Sequence, residues 1–171
     1  MKPIILTGFM GCGKSTLGRL LAQKMQYRFL DSDAVIEQKA GMTVTELFEQ
    51  RGEQAFRRLE TRVLEELLQQ TSLVLATGGG IVLEKENRDL LLNKGLVIFL
   101  KAQPETVFQR VLQSSHRPLA KGKSLKELSA LYQSRMPLYE QCHICYEEFD
   151  KSPLQCVNEL MAILKEEGYG N

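Results

Sequence analysis

The sequence predicts an α/β layer fold with a mostly parallel sheet. Three observations carry that expectation: five short apolar runs alternate with segments of helical period, several of the runs stop at glycine or acidic clusters, and a complete phosphate-loop pattern lies between the first run and its helix. Strand–helix alternation implies right-handed crossovers, which line the carboxyl ends of the strands along one sheet edge, where ligands gather in such folds.

Pro3-Ile4-Ile5-Leu6-Thr7 reads as the first strand and stops at Gly8; the glycine loop then opens a helix with Leu17, Leu21 and Met25 on one face. A second strand from Tyr27 to Leu30 ends in Asp31-Ser32-Asp33, and the helix after it stops at Gly41, a residue suited to the position just past a helix end. Thr43-Val44-Thr45-Glu46 is a capping box that starts a short helix ending near Gly52. Between Glu53 and Gln70, Phe56, Leu59, Val63 and Leu67 recur at helical spacing. Leu73-Val74-Leu75-Ala76 is apolar throughout, as a central strand covered on both faces should be, and ends at Gly78-Gly79-Gly80.

A helix from about Glu84 to Lys94, a strand from Leu96 to Leu100 and a helix with Pro104 in its first turn come next. The stretch 114–124 lacks periodicity and reads as a mobile loop. Ser124-Leu125-Lys126-Glu127 is a second capping box, opening a helix whose end Pro137 marks. His143 to Phe149 supplies the fifth strand, and Ser152-Pro153 starts a last helix with Leu154, Val157, Leu160 and Leu164 toward the core and Gly168 beyond its end.

At 171 residues, 43% hydrophobic and 25% charged, the chain is expected to form a single domain. Twenty-two basic against 21 acidic residues leave a net charge of +1, which excludes a protein that holds nucleic acid mainly through its phosphates. No window approaches the roughly 18 apolar residues of a membrane span. Met1-Lys2-Pro3 leads directly into a strand rather than a signal peptide, so a cytosolic protein with neither nucleic-acid nor membrane partners is expected. Cys142-His143-Ile144-Cys145 has the short spacing of a zinc half-site, but the second pair is missing. Within a buried strand these cysteines act as small hydrophobes.

Gly8-Phe9-Met10-Gly11-Cys12-Gly13-Lys14-Ser15 fits G-x-x-x-x-G-K-[ST] at every fixed position. The glycines let successive N–H groups face one anion, and the helix N-terminus adds positive potential there. Lys14 suits the β and γ phosphates of a nucleoside triphosphate, and Ser15 offers a hydroxyl to Mg²⁺. Cys12 reads as a tolerated small residue. There is no Asn-Lys-x-Asp for guanine, and the chain is short for a mechanical ATPase, which favours small-molecule phosphorylation.

On the acceptor side the residues alone leave alternatives open. Asp31 and Asp33 suit a metal and an acceptor, or simply cap a helix. Arg57 and Arg58 mark either a solvated face or an anion site, with Glu60 placed to hold Arg57. Three successive glycines at 78–80 permit close backbone approach to a ligand. Arg117 and Arg135 are isolated arginines.

Gly8-Phe9-Met10-Gly11-Cys12-Gly13-Lys14-Ser15-Thr16, Asp31-Ser32-Asp33, Phe56-Arg57-Arg58-Leu59-Glu60, Thr77-Gly78-Gly79-Gly80, Arg117-Pro118-Leu119 and Arg135-Met136-Pro137-Leu138-Tyr139, in that order, closely resemble the shikimate kinase family. The resemblance implies a three-layer α/β/α P-loop kinase fold with a five-stranded parallel sheet in the order 2-3-1-4-5. It also implies transfer of the ATP γ-phosphoryl group to the 3-hydroxyl of shikimate, giving 3-phosphoshikimate and ADP on the route to chorismate and aromatic amino acids. By the same resemblance Gly11, Cys12, Gly13, Lys14, Ser15 and Thr16 hold the nucleotide, Arg110 and Pro153 flank its adenine, and Ser15 and Asp31, the latter through water, serve Mg²⁺. Asp33, Arg57, Gly78, Gly79, Gly80 and Arg135 bind shikimate, within an acceptor region spanning 33–60. Lys14, Asp31 and Arg117 are catalytic, Arg117 arriving on a lid at 114–123. A monomer is expected. Gluconate kinase, or a nucleotide-binding regulatory module without turnover, are the alternatives.

Overall fold

The computed structural model describes residues 1–112 and 124–169. The expected lid, with Arg117, lies outside them. Five strands, β1 (Ile4–Thr7), β2 (Arg28–Asp31), β3 (Leu73–Ala76), β4 (Leu96–Lys101) and β5 (Ile144–Glu147), form one sheet in the order β2-β3-β1-β4-β5, every pairing parallel. Among the described residues seven helices flank it: α1 (Lys14–Met25), α2 (Ser32–Ala40), α3 (Val44–Leu67), α4 (Lys85–Lys94), α5 (Pro104–Leu112), α6 (Leu125–Tyr139) and α7 (Pro153–Glu166). β1 and β3 are buried at every residue, which is why they read as unbroken apolar runs rather than alternating ones. Leu17 and Leu21 of α1 lie on the core, and α1 packs on β2, β3 and α7.

Local signals place most boundaries. Both capping boxes form, Thr43 with Glu46 and Ser124 with Glu127, and a third joins Ser152 to Gln155. The break expected near Gly52 is a kink within α3, where Gly52 takes a left-handed φ of 77°. After the triple glycine a single 3-10 turn, Ile81–Leu83, carries the chain into α4.

Three expectations fail: Pro137 as a helix end, a buried fifth strand, and Leu154 on the core face of the last helix. Pro137 does not end its helix; α6 runs through it to Tyr139. The proline forfeits one backbone bond, but burial of Leu128, Tyr132, Arg135 and Tyr139 along one stripe holds the helix together. β5 is not a buried strand: of its residues only Tyr146 is buried and Cys145 is exposed, because the topology puts β5 at the sheet edge. Cys142 is half-buried and Cys156 sits in the α7 core face. Among the described residues no group of three or more His, Cys, Asp or Glu side chains is placed to hold a metal ion.

Leu154 is 57% exposed, whereas Cys156, Val157, Leu160 and Leu164 form the buried stripe of α7. At 100° per residue Leu154 falls about 100° away from the centre of that stripe. Leu160→Ala should therefore lower unfolding free energy by about 2–5 kcal/mol, and Leu154→Ala by less than about 0.5 kcal/mol. Urea titration of both variants tests the assignment; equal losses would contradict it.

Candidate active site

The loops after β1, β2 and β3 meet in one cleft of about 680 Å³ at the carboxyl edge of the sheet. Gly11, Gly13, Lys14, Ser15, Thr16, Asp31, Asp33, Arg57, Gly78, Gly79, Gly80, Arg110, Arg135 and Pro153 all line it. Of the residues expected from the sequence, Arg117 lies outside the described structure and Cys12 lies beneath the loop. Cys12 is 1% exposed, with its Sγ 3.5 Å from Lys14 Nζ and its N–H turned toward the Phe9 carbonyl.

The phosphate loop curls through left-handed glycines, Gly11 at φ 82° and Gly13 at φ 81°, and Gly13 forms the N-cap of α1. Lys14 Nζ donates to the Gly8 and Phe9 carbonyls at 2.8 and 2.9 Å, so its ammonium is held at the mouth of the loop. Asp31 resolves the ambiguity left by the sequence. One oxygen caps α2 by accepting from the Asp33 N–H at 3.1 Å, and the other accepts from Ser15 Oγ at 2.7 Å. A hydroxyl and a carboxylate oxygen thus converge beside the loop, the sparse oxygen donor set that Mg²⁺ takes together with water.

Across the cleft the charges are buried. The Arg57 and Glu60 side chains are 8% and 1% exposed and paired at 2.7 Å, while Glu53 reaches the same guanidinium at 3.3 Å. Arg58, the neighbour, points to solvent. The solvated-face reading therefore fits Arg58 and fails for Arg57. Burial pushes the Glu60 carboxyl up to about 7 against the pull of Arg57. Burial, and next the Asp31 carboxylate, push Asp33 up to about 6, with Lys14 opposing. Arg135, 4% exposed, donates to the Gly79 carbonyl at 3.4 Å.

Among the described residues, the buried side-chain polar atoms without a hydrogen-bond partner are Asp33 Oδ1, Arg57 Nε, Glu60 Oε1 and Arg135 Nε. Buried polar groups normally find partners, and all four of these belong to residues that line the cleft. The triple glycine serves the same place by steric economy. A Cβ at Gly78 would stand 2.6 Å from Asp33 Oδ1, and one at Gly80 would overlap the Arg57 guanidinium.

Several lining residues escaped sequence reasoning. Phe48 and Phe56, in contact at 4.7 Å between ring centroids, wall the cleft beside Arg57, but helical spacing marks Phe56 only as a core position. Glu37 lines the same wall and accepts from the Val44 N–H at 2.9 Å, tying α2 to the start of α3. Beside the phosphate loop Glu148 lies 3.5 Å from Arg110, which also donates to the Gly11 carbonyl at 3.0 Å. Nothing in the strand pattern around Glu148 signals this.

Comparison with known proteins identifies the family. The family model described as shikimate kinase matches residues 10–165. A shikimate kinase of Enterococcus faecalis is 43% identical over 169 residues, covering 97% of this chain and all of that protein. The solved shikimate kinase of Acinetobacter baumannii, in complex with shikimate, superposes with a TM-score of 0.93 at 37% identity, covering 98% of this chain and 94% of that one. A gluconokinase from Sinorhizobium meliloti shares the fold at a TM-score of 0.59 and 17% identity, covering 96% and 91%.

The raised Asp33 group fixes a sign for stability. A carboxyl whose folded pKa lies above its ordinary 3.8 favours the folded state less as it ionises, so its penalty grows between about pH 4 and 6 and is complete above that. Asp33→Asn should be more stable than the parent at pH 7.5, on the order of 1–3 kcal/mol, with the gain fading toward pH 4. Denaturant melts at the two pH values check this; a variant less stable at pH 7.5 would contradict it.

Proposed function

The chain belongs to the shikimate kinase family, and from that premise we propose how its own residues carry the phosphorylation of shikimate by ATP. The reaction moves the γ-phosphoryl group to the 3-hydroxyl, giving 3-phosphoshikimate and ADP. The observation that carries the division of labour is the set of unpartnered buried atoms on Asp33, Arg57, Glu60 and Arg135, facing the phosphate loop across one cleft. A carboxylated, polyhydroxylated ring supplies what they lack: an anion for the guanidinium groups and hydroxyls for the carboxylates.

Lys14 exchanges the Gly8 and Phe9 carbonyls for phosphate oxygens, and the backbone of Gly11 and Gly13 with the α1 N-terminus holds the remaining charge. Ser15 and Asp31 would hold the Mg²⁺ that accompanies ATP. When bound, that ion neutralises charge on the β and γ oxygens. Arg57 and Arg135 bind the acceptor carboxylate, and the 78–80 backbone forms the floor. Asp33 accepts from the ring hydroxyls, and a carboxyl pushed up to about 6 is matched to take the proton of the attacking hydroxyl near neutral pH. Arg110 and Pro153 flank the adenine. Arg117, assigned from the family resemblance alone, would serve the transferring group, where charge spreads over the equatorial oxygens.

A cytoplasmic monomer fits this reading. Among the described residues no helix is long and apolar enough to cross a membrane, and the large hydrophobic side chains left exposed, Met1, Leu125 and Leu154, are scattered along the chain.

A coupled ADP-release assay with shikimate, gluconate or no acceptor tests the conclusion. Rapid turnover with shikimate and background rates in the other two arms are expected, whereas faster turnover with gluconate overturns it. In the same assay Arg57→Ala and Arg135→Ala should each raise the shikimate KM by at least about tenfold and leave the ATP KM within about twofold. Matching losses for both substrates would contradict the assignment of these arginines to the acceptor.

A further inference from the structure

Tyr139, at the C-terminal end of α6, is 1% exposed and stacks on Phe99 of β4 with ring centroids 5.2 Å apart and planes 17° apart. Its hydroxyl donates to the Gly79 carbonyl. Arg135, one helical turn earlier on the same stripe, donates to that same oxygen from Nη1 at the longer distance of 3.4 Å. Two donors of one helix therefore hold a single carbonyl of the acceptor floor, and the hydroxyl makes the closer contact.

The geometry of a trans peptide gives this anchor a directional effect. The Gly79 carbonyl and the Gly80 N–H belong to one planar unit and point opposite ways. A carbonyl held toward α6 fixes the plane of that peptide and with it the direction of the Gly80 N–H, at the floor position where a Cβ would overlap the Arg57 guanidinium. The Gly80 backbone and the Arg57 and Arg135 side chains line the same cleft. Satisfying the Gly79 oxygen through a neutral hydroxyl also frees Arg135 from serving as its sole partner. Burial raises the Tyr139 phenol well above its ordinary value, so it stays protonated and donating throughout the working pH range.

We propose that Tyr139 is a positioning residue for the acceptor: by holding the Gly79 carbonyl it orients the Gly80 N–H and releases Arg135 toward the substrate carboxylate. This rests on the assignment of Arg57, Arg135 and the 78–80 backbone to shikimate. It also gives the hydroxyl of the Arg-x-Pro-Leu-Tyr segment a task distinct from packing. The ring packs on Phe99, and the oxygen acts on the floor.

The test is Tyr139→Phe, which keeps the ring and removes the oxygen, assayed alone and combined with Arg135→Ala. The expected result is a shikimate KM raised about tenfold, an ATP KM within about twofold of the parent, and a double variant whose shikimate penalty is clearly less than the product of the two single ones. A purely structural role would weaken both substrates together, and that outcome overturns the proposal. So does an unchanged shikimate KM, or a fully multiplicative double variant. If Tyr139→Phe is too unstable to purify, Phe99→Leu, which loosens the ring but retains the hydroxyl, is measured instead. Selective loss of shikimate binding supports the role, and uniform loss overturns it. Parent protein that fails to turn over shikimate defeats the functional reading and this inference with it, whereas an active parent with an indifferent Tyr139→Phe defeats the inference alone.

Discussion

Parallel pairing of β3 between β1 and β2 governs the cleft. Leu6 of β1 and Asp31 of β2 are both level with Ala76 of β3, so three strands end on one rung of the sheet. Strands lie about 4.8 Å apart, and the three loops that follow therefore begin within about 10 Å of one another. From the β1 end comes the anion-binding turn, from β2 the paired aspartates, from β3 the glycine floor. A slip of one residue in either pairing would turn every side chain of that strand to the opposite face and separate the Ser15 hydroxyl from Asp31.

What the sheet brings together is unfavourable to bury. Asp33, Glu60, Arg57 and Arg135 sit in or against the interior with atoms left unpartnered, and each such atom carries a desolvation cost that the protein's own bonds do not offset. The Arg57–Glu60 pair at 2.7 Å limits this for one guanidinium without removing it. Such an arrangement favours a ligand over the empty fold: the interactions missing from the protein are those a hydroxylated carboxylate makes. The aromatic rings of Phe48 and Phe56, with Arg57 lying 5.2 Å over the latter, keep the guanidinium in a fixed plane before any acceptor arrives.

The features legible in the sequence are those with short-range causes. The phosphate loop, both capping boxes, the break at Gly52 and the fully apolar β1 and β3 each depend on a few adjacent residues, and each was readable. Features decided by the whole fold were not. Whether Pro137 terminates α6 depends on what buries Arg135 and Tyr139 on either side of it. The exposure of Cys145 follows from β5 standing at an edge, which its own apolar neighbours do not reveal. Arg57 and Arg58 are indistinguishable as letters, and only the orientation of α3 over the cleft sends one inside and the other to water. The pairing of Glu148 with Arg110 joins residues 38 apart and has no local signature at all.

The glycine floor also constrains how selectivity could drift. Where Asp33 and Arg57 already fill the space above Gly78 and Gly80, no substitution can sculpt a new acceptor shape from below without evicting a binding group. The adaptable surface is the part of the cleft that α3 lines with Val44 and Phe48. Descendants of this enzyme selected to accept bulkier or smaller cyclic acids should accumulate their changes at Phe48 and Val44, leaving the floor frozen as a template on which different walls are tried.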